Sequence, residues 1–335
     1  MTANCFNRLV LASNRRLAMP IAVYPGLALT GAKVSDIVTN PQAQFDAQVA
    51  LHERYHTPFV LSAMDLSAEA EAFGCAIQAS ENEIPTVTGR LVTNLEQAQK
   101  LSIPHPGDKR TSVYLETVRR LRRLSDKPLV LGGCIGPFSL AARLVGVSEA
   151  MEMTVTEPDL MQALLEKCTA FLMAYVRAFR EAGADGVIMA EPAAGLLSPR
   201  GMSRHSSGYI KQIGAALADG HFAIILHNCA AKLVHLPAVL ETGLGSFHFG
   251  APMDMASALD RVPADVVLCG NLDPAGVFVR LTPTEITAKA VDLMKAAGPR
   301  RNFVLSSGCD VPAATPLANL DAFHVALQIM PAPRQ

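Results

Sequence analysis

The chain has 335 residues, half of them hydrophobic and 18% charged, with a formal net charge of −1. That is long for an ordinary domain, but it suits one α/β barrel and is ample for a large core. The two signs are mixed, with no basic block and no acidic tail, which argues against a nucleic acid or other polyanionic partner.

The N-terminal stretch "MTANCFNRLVLASNRRLAMP" carries an apolar run, Leu9 to Ala12, that is too short for a signal peptide and is followed directly by arginines. Longer apolar stretches such as "PLVLGGCIGPFSLAA" hold Gly and Pro and fall short of the ~20 residues of a membrane span. The chain reads as soluble and cytoplasmic, with no membrane partner. Eight short apolar runs then follow: 20–24, 59–66, 128–136, 186–192, 222–229, 246–250, 266–271 and 302–309. Continuous apolar runs of this length fit strands covered on both faces, as in a parallel sheet.

Helical spacing fills the intervals. "EPDLMQALLEKCTAFLMAYVRAFREAG" opens near Pro158 and closes at Gly183. "TPTEITAKAVDLMKAAG" has Thr282 as N-cap and Gly298 as its stop, and "TPLANLDAFHVALQI" supplies a last helix. Eight strands, mostly followed by helices, predict a (β/α)8 TIM barrel spanning 1–335 as one domain, with an open doubly wound sheet as the other arrangement of the same pattern. The interval between strands two and three, 67–127, is irregular and contains "CAIQASENEIPTVTGRLV", which reads as a β-hairpin. It is expected to be an insertion over the barrel mouth.

The seven cysteines are odd in number and irregularly spaced, which argues against a disulfide framework. Cys5, Cys75, Cys134, Cys168 and Cys269 read as core residues. The other two stand out. "FAIILHNC" ends strand five with His227 and Cys229 two apart, so both side chains point the same way. Cys309, in "VLSSGCDVP", holds the matching place on strand eight. Barrel active sites lie at strand C-terminal ends, so one imidazole and two thiols can meet there. Three such donors and an open fourth position match a catalytic Zn(II) site, and two thiolates favour zinc over Mg or Mn. On spacing alone, a buried histidine with two core cysteines fits equally well.

The same motifs carry a family resemblance. "HNC" after an apolar strand, with "SSGCDVPAATPLANLDAF" downstream and "MDLSAEAEAFGC", "GGCIGPFSLAARLVG", "ADGVIMAEPAAGLLSPR" and "GNLDP" in order, resembles the uroporphyrinogen decarboxylase superfamily. Within it, the chain looks like the corrinoid-dependent methyltransferase branch, typified by methylcobalamin:coenzyme M methyltransferase. The resemblance implies the barrel fold and a catalytic zinc on a His-x-Cys…Cys motif, carried here by His227, Cys229 and Cys309. The decarboxylase pattern fits less well: "IAVYPGLALTG" has no arginine where that enzyme has "RQAGRY", and Arg143 replaces its "LASY" tyrosine, although Asp65 matches its aspartate.

The resemblance further implies methyl transfer from methylcobalamin on a partner corrinoid protein to a thiol such as coenzyme M. The reverse half-reaction, from a methyl ether or methylamine type donor to a corrinoid protein, uses the same ligands, and a tetrapyrrole or corrinoid binder without enzymatic activity is a third reading. No "DxHxxG" pattern of a cobalamin-binding domain is present, so the corrinoid is expected to arrive on its partner, docking over 67–127. Glu191, which ends strand four in "MAEP", is a candidate fourth ligand, a partner of the ligand histidine, or a solvated strand-end acid. Asp65, Tyr24, His248 and Asn271 sit near strand ends and are candidate pocket residues. Arg143 reads as a holder of an anionic substrate group or as one half of a surface ion pair. Glu69 and Glu71 are expected to serve local packing or a helix cap.

Overall fold

The computed structural model describes residues 4–329. Seven parallel strands form a curled sheet in the order β1 (Phe59–Leu61), β4 (Leu129–Ile135), β5 (Gly186–Ala190), β6 (Ala223–Asn228), β7 (Ser246–Phe249), β8 (Val267–Leu272) and β9 (Phe303–Ser307). Every residue of β5 through β9 is buried, as strands covered on both faces require. The expected long helices are Pro158–Glu181, Pro283–Ala297 and Leu317–Ile329. Thr282 caps the second of these in a reciprocal box with Glu285. Pro158–Glu181 buries Leu160, Leu164, Cys168, Phe171, Tyr175 and Phe179 along one stripe, which fixes it against the sheet.

The first expected strand, 20–24, does not form. Its place is taken by a single parallel bridge two residues earlier, between Ala18 and Leu305 of β9. Met19 donates to Leu305 and Leu305 to Leu17, and there the ladder stops. The chain explains why: Pro20 has no N–H to donate, and the Ile21 amide goes to the Ser307 hydroxyl instead. Tyr24–Gly26 is already a turn of 3-10 helix.

The opposite edge, on β1, is satisfied by side chains. The Leu61 and Ala63 amides point away from β4, and they donate to Gln48 Oε1 at 3.2 Å and Gln44 Oε1 at 3.0 Å. Both glutamines are buried on the helix Pro41–Tyr55. Two amides that a backbone neighbour would otherwise pair are thereby paired without one.

Between β1 and β4 the chain forms the short helix Ala68–Phe73, the antiparallel hairpin β2 (Ala76–Gln78) and β3 (Thr86–Thr88), and the helices Leu95–Lys100 and Thr111–Leu121. The hairpin is largely exposed. The last helix is different: it packs on β4 and buries Val113, Tyr114, Leu115, Val118 and Leu121, so it acts as the crossover from β1 to β4. The interval 67–127 is therefore part excursion and part barrel wall.

Candidate metal centre

His227 is the penultimate residue of β6, Cys229 follows that strand, and Cys309 follows β9 by two residues. One ligand atom from each lies within 4.8 Å of the other two. A tetrahedral zinc with its usual bond lengths spaces such atoms about 3.5–3.8 Å apart, so the three can close on one ion with small side-chain adjustments. The donor chemistry also fits. His227 Nε2 is buried without a hydrogen-bond partner, which is costly for an imidazole nitrogen unless something occupies it. The contact between the two thiols lowers Cys229 to about 7, and the same contact together with burial raises Cys309 to about 12, against a lowering pull from His227. The pair gives up its first proton readily and holds the second, the behaviour of a coupled pair that a cation would complete.

Backbone packing places the cysteine. A Cβ on Gly250 would collide with the carbonyl group and Cα of Cys229, so only glycine lets the loop after β7 lie against it. Asn271, expected in the pocket, instead holds that loop, with Nδ2 donating to Gly250 O at 2.9 Å and Met253 O at 2.7 Å.

His248 lies beside His227 in the β6–β7 register, with Nδ1 atoms 2.8 Å apart. It is fully buried, and burial first, then His227, holds its pKa well below that of an ordinary imidazole.

Glu191 is not among the clustered donors. Its carboxylate accepts from Phe138 N at 2.9 Å, Ser139 N at 2.8 Å and Ser206 Oγ at 2.8 Å. The two amides open the helix Pro137–Val145, so Glu191 caps that helix from a neighbouring strand end. It is 1% exposed, which removes the solvated-acid reading.

Asp65 is spent on an ion pair with Arg110 and on Tyr114 Oη at 2.9 Å, Ser67 N at 2.9 Å and Ser67 Oγ at 2.6 Å. Arg110 also reaches Glu71 at 2.6 Å. Tyr24 is buried and donates to Met64 O at 3.2 Å. Arg143 is half-buried and makes no ion pair among the described residues. Burial lowers its pKa, against the pull of Asp65.

Some residues of this region were not legible in the chain. Glu69, expected as packing or cap, is 2% exposed; Oε1 accepts from Ile135 N at 2.9 Å, Oε2 has no partner, and burial lifts the carboxyl to about 8. Asp310, adjacent to Cys309, also has a buried unpartnered oxygen, and burial with Cys309 holds it well above the usual carboxylate range. Its adjacency to Cys309 was the only available signal. Arg110 and Ser306 carried none.

Residues 18–328 match the family model described as uroporphyrinogen decarboxylase (URO-D). The chain belongs to the uroporphyrinogen decarboxylase family. It is 30% identical over 290 residues to the methylcobamide:CoM methyltransferase MtbA of Methanosarcina acetivorans, covering 84% of each chain. A uroporphyrinogen decarboxylase of Psychromonas ingrahamii is 29% identical over 274 residues, covering 78% of this chain and 76% of that one. A solved methyltransferase from Methanosarcina mazei superposes with a TM-score of 0.86 over 97% of both chains at 22% identity, which shows the barrel-like fold. The resemblance to the corrinoid-dependent methyltransferase branch of the family thus holds up. No helix among the described residues is long and apolar enough to cross a membrane.

Proposed function

We propose that this chain transfers a methyl group from a methylated corrinoid, carried by a partner protein, to a small thiol, with Zn(II) held by His227, Cys229 and Cys309. The observation that carries this reading is the bare, buried His227 Nε2 facing two thiols at the strand ends. When bound, zinc would take the substrate sulfur in its open position and keep it as thiolate at neutral pH.

The chain's own residues do the rest. Cys229 and Cys309 supply two anionic donors, which keep a shared metal electron-rich and a bound sulfur nucleophilic. Gly250 and Asn271 fix the backbone around Cys229, and Glu191 caps the helix Pro137–Val145. The placement of the three donors at strand ends would orient a bound sulfur toward the incoming methyl carbon, and such alignment accounts for much of the rate. The sulfur pair forms the new S–C bond while the Co–C pair stays with cobalt as Co(I), and the thiol proton leaves to solvent. This resemblance-based reading is supported by the relatives named MtbA.

The test offers methylcobalamin and a panel of small thiols, coenzyme M among them, to the purified protein while the cobalt spectrum is followed. Thiol-dependent demethylation that disappears in Cys309→Ser is expected. Wild-type rates in Cys309→Ser would sink the proposal.

A further inference from the structure

The two Nδ1 atoms of His227 and His248, 2.8 Å apart, can bond only if one carries a proton and the other offers a lone pair. Two arrangements are open to neutral rings, and the far end of the chain of bonds decides between them. His248 Nε2 is 2.8 Å from Ser306 Oγ, and that hydroxyl donates to the Met19 carbonyl. A carbonyl only accepts, so the Ser306 proton lies toward Met19 and Oγ must accept from His248 Nε2–H. His248 Nδ1 is then bare and accepts from His227 Nδ1–H. That leaves the His227 lone pair on Nε2, the atom with no partner that belongs to the three-donor cluster. The reverse arrangement would leave the buried Met19 carbonyl without its donor.

We infer that the Met19 carbonyl, Ser306 and His248 form a tautomer lock that presents His227 Nε2 as a ready metal ligand. The lock spans the fold: Met19 lies on the segment bridged to β9, Ser306 on β9 and His248 on β7. All three are buried, so water cannot supply the alternative partner. His248 is thus a positioning residue that acts through His227, and its role rests on the metal-centre reading above.

The test has two arms. In metal-free wild type labelled with 15N-histidine, long-range proton–nitrogen spectra report each ring's tautomer. His227 as Nδ1–H and His248 as Nε2–H is expected, and His227 as Nε2–H overturns the lock. In the second arm, Co(II) is titrated against a competing chelator into wild type, His248→Leu and His248→Asn, and thiolate-to-cobalt absorption is read. Leucine removes the acceptor, and affinity should fall about 10- to 100-fold, the range for losing a bond behind a metal ligand. Asparagine can place Oδ1 where Nδ1 was and should restore most of it. Unchanged affinity in His248→Leu, or equal loss in both variants, overturns the positioning role alone. No Co(II) uptake by wild type overturns the metal centre and the positioning role together.

Discussion

Replacing Glu191 with alanine separates its capping role from a ligand role. The substitution leaves the Phe138 and Ser139 amides and the Ser206 hydroxyl without their acceptor in a region closed to water. Each buried unpaired donor costs about 1–3 kcal/mol, while removing a carboxyl whose ionised form is disfavoured by burial returns part of that. A net loss of about 2–4 kcal/mol follows. A chain of 335 residues has an unfolding entropy near 0.7 kcal/mol/K, so the melting temperature should drop by about 3–6 °C. Glu191→Gln keeps an acceptor for Phe138 but turns an NH2 toward the Ser139 amide, and should lose about half as much. Calorimetry in chelator isolates this effect from metal binding, and Co(II) titration is run alongside. Intact Co(II) affinity with a lowered melting temperature is expected. A tenfold or larger loss of affinity with no change in melting temperature would make Glu191 a ligand and refute the capping account.

Asp65→Asn leaves the Arg110 guanidinium facing a neutral amide beside a fully buried position, and should cost about 3–5 kcal/mol in urea unfolding without changing metal content. A loss under about 1 kcal/mol would show that Glu71 alone holds Arg110. Gly250→Ala should push the Cys229 loop outward and weaken Co(II) binding about tenfold or more, and an unchanged cobalt spectrum would count against that contact. Glu69 sets a pH dependence: burial raises its folded pKa to about 8, above the ordinary glutamate value of 4.5. Between those values the unfolded chain has released the proton that the folded chain keeps, so stability falls as pH rises through the window and levels off above it. Glu69→Gln should flatten the fall between pH 5 and pH 8, and identical profiles would place the effect elsewhere.

Much of the barrel was legible because parallel strands are buried on both faces and read as continuous apolar runs; β4 to β9 match the expected ranges to within one residue. The first strand was misread because "PIAVY" is apolar, while the proline that ends the ladder is its first residue. The three-donor cluster could be read because i, i+2 spacing and strand-end position are local properties. The rest of the site depends on contacts far apart in the chain. Glu191 read as a candidate ligand, a partner of the ligand histidine or a solvated strand-end acid, since nothing near it shows that the first turn of another helix lies in reach. His248 was one polar residue in "SFHFG", and its role appears only when Ser306, 58 positions away, is folded against it. Asn271 looked like a pocket residue for the same reason.

The proposed zinc centre on His227, Cys229 and Cys309 is open to a simple check. Elemental analysis of protein purified without chelator, beside Cys229→Ala and Cys309→Ser, tests it most directly. About one zinc per chain in wild type, lost in both variants while their circular dichroism stays native, is the expected result. Native-like variants that keep full zinc, or wild type that takes none after reconstitution, would leave these three as a buried imidazole and two thiols in the barrel.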